Sequence, residues 1–135
     1  TKNEEIYIGE TAVNSKNIQF VVTSVSNTKK ISTKTTNYNY VVITIKISNK
    51  GKESWDPNPN YFTLLLNDNE YDYNSATYYL DDGMTSTNEV NPNISKTYRI
   101  AFETPTQTTE DIYKLKIKYS IISSDYVTVI LKKRT

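Results

Sequence analysis

The stretch Tyr40-Val41-Val42-Ile43-Thr44-Ile45-Lys46-Ile47-Ser48-Asn49 decides the fold. Val41, Ile43, Ile45 and Ile47 fall on one face and Tyr40, Val42, Thr44, Lys46 and Ser48 on the other, the period-two alternation of a half-buried strand. Asn49-Lys50-Gly51 then turns the chain. Upstream, Ile18 to Val25 reads as a core strand, and Glu5 to Ile8 as a short edge strand ended by Gly9. The intervening Ser26 to Asn39 has no apolar period and reads as a polar loop.

Downstream, Tyr61 to Leu66 is a short strand, and Asn67-Asp68-Asn69 supplies residues that tolerate the left-handed backbone of a tight hairpin. Glu70 to Tyr73 returns beside it. Asn74 to Asn88 has no clean period and reads as a long surface connection, the kind of loop that often binds. Lys96 to Glu103 alternates with Tyr98, Ile100 and Phe102 inward, and Pro105 stops it. Tyr113, Leu115, Ile117, Tyr119 and Ile121 alternate with Lys114, Lys116, Lys118 and Ser120. After Ser123-Ser124-Asp125, Tyr126 to Leu131 closes the series. About seven to nine such strands predict an all-β, immunoglobulin-like Greek-key sandwich.

The chain of 135 residues is one domain's worth, so residues 1 to 135 are read as a single domain. Ala and Leu are scarce, which disfavours helix, while Ile, Val, Thr and Tyr suit a pleated surface. With 16 Lys+Arg against 15 Asp+Glu and no His or Cys, nucleic acid is not an expected partner. Ser-His, Cys-His, cysteine-zinc and disulfide chemistry are excluded outright. No apolar run approaches the ~20 residues that cross a bilayer. Abundant Asn, Lys and Ile, with Lys far outnumbering Arg, fit A/T-rich codons and hence a low-G+C bacterium.

Carboxylates are the remaining acid/base groups. Asp68, Glu70 and Asp72, and Asp81 with Asp82, are dense in the oxygen ligands that calcium prefers. The helix-loop-helix calcium pattern fails, because Tyr73 stands where its glycine belongs, and turn chemistry explains these acids without a metal or a reaction. Trp55, Tyr78 and Tyr79 are candidates for stacking on a sugar. The simpler reading has Trp55, beside Asp56-Pro57-Asn58-Pro59-Asn60, plugging the open end of the core. Lys114, Lys116 and Lys118 form a basic row followed by Lys132, Lys133 and Arg134 at the terminus. The row either protects an exposed sheet face or edge, the simpler reading, or attracts an anionic wall polymer or lipid headgroups.

Tyr40 through Gly51, Tyr61-Phe62-Thr63-Leu64, and Asn91-Pro92-Asn93 through Ala101-Phe102-Glu103-Thr104-Pro105 together resemble a known family. It is the uncharacterised immunoglobulin-like domain of Gram-positive lipoproteins and secreted proteins, sometimes mislabelled as telomeric repeat-binding-factor-like. Its fold is similar to that of the mycobacterial immunoprotective extracellular protein. With Gly9 and Ile18 to Val25, the resemblance covers most of the chain. The family usually has Pro-Gly where this chain has Pro92-Asn93, and Asn is the non-Gly residue most at ease there.

The resemblance implies export and surface attachment, with a leader and lipid anchor upstream of Thr1, and no catalytic residue or cofactor. The expectation is therefore a non-enzymatic binding or structural module for an unknown surface or wall ligand or protein, in contact with membrane only through such an anchor. The alternative is a carbohydrate- or calcium-binding module using the Trp55 loop and residues 71 to 88. A hydrolase would need two of the carboxylates to flank a cleft.

Overall fold

The isoleucines that alternate before Asn49 lie in an inner strand of a four-stranded sheet, sealed against a second, five-stranded one. The computed structural model describes residues 3–85, 88–105, 113–118 and 125–134. Its strands are β1 (Asn3–Tyr7), β2 (Thr11–Val13), β3 (Ile18–Ile31), β4 (Lys34–Asn49), β5 (Phe62–Leu66), β6 (Asn69–Tyr71), β7 (Ser95–Thr104), β8 (Tyr113–Lys118) and β9 (Tyr126–Ile130). The front sheet has the order β2-β3-β4-β7 and the back sheet β1-β9-β8-β5-β6. All neighbours are antiparallel except β1, which runs parallel to β9. The fold is the expected immunoglobulin-like β-sandwich, without cysteine.

Between the sheets, Phe20, Ile43, Ile45, Ile47, Ile100 and Phe102 meet Phe62, Leu64, Leu115, Ile117 and Val127. Each is 0 or 1 % exposed, so each contributes roughly 1.5–3 kcal/mol of burial. The period-two pattern was legible because these side chains share one dry layer. Tyr119, Ile121, Ser123 and Ser124 lie outside the described residues.

Three expectations are corrected. Ser26 to Asn39 is not a loop: β3 and β4 continue as a hairpin to a two-residue turn, with Ser32 at φ 54°. Two irregularities hide it from the sequence. A bulge at Thr23 switches the inward residues from Ile18, Phe20 and Val22 to Val25 and Asn27. The second break lies between Thr28, which pairs with Tyr40, and Lys30, which pairs with Thr35.

The outer face of β4 is also not simply polar, because Tyr40 and Val42 are buried with Ile31, Ala76 and Ala101 in a second small core. What covers them is the segment after Asn74. That segment, read as a surface connection, packs closely: Ala76 is 1 %, Thr77 0 % and Met84 0 % exposed.

Asn residues carry the turns. Asn17, Asn67 and Asn93 have φ of 63°, 48° and 68°, the left-handed region in which Asn replaces Gly at least cost. Buried Asn49 is bonded through every polar group. Its amide donates to the carbonyls of Glu53 and Val90, both at 2.8 Å, and its Oδ1 accepts from Gly51 N–H at 2.9 Å. Its backbone exchanges bonds with Ile94 and Asn93.

The two ends of the described chain are joined by Arg134, which donates to Glu10 from Nε (2.6 Å) and Nη2 (2.9 Å) and stacks over the Tyr7 ring. The Arg134 bond, then the Tyr7 N–H, holds the Glu10 carboxyl at about 2, below its ordinary 4.5. A depressed carboxyl stabilises the fold above its unfolded pKa, and that contribution is lost as pH falls through the folded one. Acid titration of unfolding midpoints is therefore expected to show a decline from pH 4.5 toward 2 that is shallower in Glu10→Gln.

Candidate functional site

The site begins at the free edge of β7. Arg99 and Ala101 turn their backbone groups away from β4, and an unpaired edge of this kind recruits other chains. Here it is covered from within. Arg99 N–H donates to Asp82 O (2.9 Å), and Arg99 O accepts from Met84 N–H (3.1 Å). Ala101 O accepts from Asn74 N–H (2.7 Å), while Ala101 N–H donates to Thr77 Oγ1 (2.9 Å). The long segment is thus a clamp on β7.

Its conformation follows from its sequence. The Asn74 side chain caps a 3-10 turn, Ser75–Tyr79, by accepting from Ala76 N–H at 2.8 Å. Ala76 and Thr77 then point inward, leaving Tyr78 and Tyr79 48 % and 46 % exposed. Gly83 closes the segment so tightly that a Cβ there would lie 1.9 Å from Thr77 O. Two tyrosines are consequently fixed on a rigid, buried base.

They face different ways. Tyr78 joins Tyr73 edge-to-face, centroids 6.1 Å apart, with their hydroxyls at 2.9 Å. That hydroxyl bond, followed by burial, raises the Tyr73 pKa. Tyr79 instead walls a groove of about 550 Å³ between the clamp and the β3–β4 hairpin. Val42, Ile31 and Leu80 are its apolar lining, Ser26, Thr28 and Ser32 add hydroxyls, and Lys30, Asp81 and Arg99 add charge. Lys34 Nζ sits 4.9 Å from the Tyr79 centroid, covering part of the ring. Arg99 is held by Asp82 through Nε. Among the described residues the Lys30 ammonium has no partner.

Trp55 is elsewhere. It is 7 % exposed, edge-on to Phe20 at 5.5 Å and tilted against Tyr61 at 5.9 Å. A two-way backbone bridge to Val90 fixes its main chain, at 3.0 and 2.7 Å. The Trp55 loop hangs from Asn49 at one end of β4, and Tyr79 meets Lys34 at the other. Tyr79 shares its groove with Val42, and the strand from Val42 to Asn49 puts on the order of 20 Å between that groove and the Trp55 loop. Trp55 and the tyrosines do not form one platform.

Nor are the acids gathered. Asp68 sits in the β5–β6 turn at φ 70°, Glu70 and Asp72 follow it exposed, Asp81 stands at the groove rim and Asp82 is engaged by Arg99. Among the described residues no three Asp or Glu stand close enough to hold a metal ion. Sequence reading missed Lys30 and Arg99. Lys30 lay in the supposed loop, but a charged residue amid the alternating Tyr98-Arg99-Ile100 was a readable sign of an outer-face site.

A family model described as a domain of unknown function, DUF4352, matches residues 7–128. The chain belongs to that family. No curated protein matches it. This DUF4352 chain is similar in structure to the yjhA protein of Bacillus subtilis, with TM-score 0.69 and 18 % identity over 94 % of this chain and 99 % of that one. The secreted protein MPT63 of Mycobacterium tuberculosis gives TM-score 0.69 and 10 % identity over 94 % and 98 %. A candidate lipoprotein of Bacillus subtilis, ycdA, gives TM-score 0.65 and 15 % identity over 90 % of this chain but 38 % of that one. At such identities the likeness is one of fold. No helix among the described residues of this DUF4352 chain is long and apolar enough to cross a membrane.

Proposed function

We propose that the chain is an exported, non-enzymatic binding module, tethered at the cell surface, that holds a saccharide in the groove beside Tyr79. The observation that carries this reading is the groove itself: an aromatic wall on a rigid base, three hydroxyls, and the charged groups of Lys30, Arg99 and Asp81 around an apolar floor. Sugars offer an apolar ring face to an aromatic and hydroxyls to Ser and Thr. Lys30, whose ammonium has no partner among the described residues, favours a sugar that also bears a carboxylate. Export is supported by the secreted and candidate lipoprotein neighbours in fold. Binding without turnover accords with Asp82 being engaged by Arg99 and Asp81 standing at the rim, so that among the described residues no free pair of carboxylates flanks the groove.

Thermal unfolding with millimolar oligogalacturonate, a neutral glucose oligomer or calcium chloride tests this. Ligand at 100 times its Kd stabilises by about 2.7 kcal/mol. The acidic oligomer is expected to raise the midpoint more than the neutral one, and Tyr79→Ala or Lys30→Ala to reduce the rise. No shift with either oligomer, or an undiminished shift in both variants, contradicts the groove. A shift with calcium alone favours the acidic turns instead.

A further inference from the structure

The lysine row lies on the other sheet. β8 is flanked by β9 on one side and β5 on the other, so Lys114, Lys116 and Lys118 stand mid-sheet and cannot be guarding an edge. Leu115 and Ile117 are 0 % exposed, which sends the three lysines to the outer face. Thr63 and Thr128 flank Lys116 in register, and Tyr126 pairs with Lys118. The lysines recur every ~7 Å along the strand. The chain leaves β9 next to the same row, Leu131 N–H donating to Tyr113 O at 3.1 Å, and continues as Lys132-Lys133.

Acids border this face: Glu5, in register with Thr128 and Lys116, is 3.8 Å from Lys114 Nζ, Asp68 lies near the same lysine, and Glu70 of β6 pairs with Leu65 of β5. Lys116 lies 4.4 Å from the centroid of the Tyr126 ring. Among the described residues, Lys118, Lys132 and Lys133 make no ion pair. In a protein of net charge +1 this is a concentration of lysines, only one of which, Lys114, is ion-paired among the described residues.

We propose that the outer face of the back sheet binds a linear polyol-phosphate polymer, one phosphodiester following another along the row, with Thr63 and Thr128 meeting polyol hydroxyls. A single-stranded nucleic acid would want a succession of free rings for its bases, and among the described residues the rings on this face, Tyr126 and Tyr7, are faced by Lys116 and Arg134. A membrane would want exposed apolar anchors, and Val13, Tyr38, Tyr78, Tyr79 and Ile94 are all on or beside the front sheet. This face is independent of the Tyr79 groove, and the two readings stand or fall separately.

Fluorescence anisotropy with labelled poly(glycerol phosphate) and the whole chain tests it. Five cations released at ~0.7 logarithmic units each predict about a hundredfold loss of affinity between 50 and 200 mM salt. Replacing the three β8 lysines (Lys114→Gln, Lys116→Gln and Lys118→Gln together) is expected to weaken binding at low salt and cut that loss to about sevenfold. Its thermal midpoint should stay near that of the parent, and Lys50→Gln with Lys52→Gln, at the far end of the front sheet, should leave binding unchanged. The proposal is overturned if the triple variant binds as the parent does. It is equally overturned if oligo(dT) of equal charge binds more tightly, or if only anionic phosphatidylglycerol vesicles bind.

Discussion

Replacing Trp55 by alanine is expected to lower the unfolding free energy by about 3–5 kcal/mol while leaving binding in the Tyr79 groove unchanged. The indole fills the end of the core between Phe20 and Tyr61, and its loss leaves a cavity that a bridged backbone cannot collapse to fill. For a chain of this size that corresponds to a fall on the order of 15 °C in thermal midpoint, read by calorimetry. The opposite outcome, a small change in stability with binding abolished, would make Trp55 a ligand contact after all.

Gly83→Ala is expected to act on both stability and site. The new methyl would fall 1.9 Å from the Thr77 carbonyl oxygen and 3.3 Å from Leu80 Cβ, so either the 3-10 turn or residues 82 to 84 must leave β7. Overpacking alone costs typically 1–3 kcal/mol. Each edge bond lost adds about 0.5–1.5 kcal/mol. Together these give roughly 3 kcal/mol in a urea titration. The uncovered edge at Arg99 and Ala101 should also make the variant self-associate in light scattering, which no cavity mutation in the core would do. Groove binding should fall in parallel, because Tyr79 rides on the same clamp. A monomeric Gly83→Ala of parental stability would show that the clamp does not hold β7.

Much of the sandwich was legible because its core residues sit on strands with one dry face, as in Tyr40 to Asn49 and Lys96 to Glu103. The hairpin Ser26 to Asn39 was not, since its ladder is held by backbone bonds while both faces are largely wet, and the bulge at Thr23 breaks the alternation. The segment after Asn74 was found as the unusual one but misread in kind. Its order comes from capping an edge 20 or so residues downstream, and Thr77 meeting Ala101 leaves no local period to detect. Asn93 was read from the family's Pro-Gly turn and the tolerance of Asn for the left-handed region, and its φ is 68°. At the site, exposure separated Tyr79 from Trp55, for which the sequence offered both a stacking role and, as the simpler reading, a plug at the end of the core.

That the groove beside Tyr79 is the ligand site is tested most directly by backbone amide chemical shifts of the 15N-labelled chain titrated with oligogalacturonate. Saturable shifts are expected at Thr28, Lys30, Val42, Tyr79, Asp81 and Arg99, with Lys16, Lys52, Glu53 and Trp55 unmoved. Shifts confined to the Trp55 end, or to Asp68, Glu70 and Asp72, would contradict it.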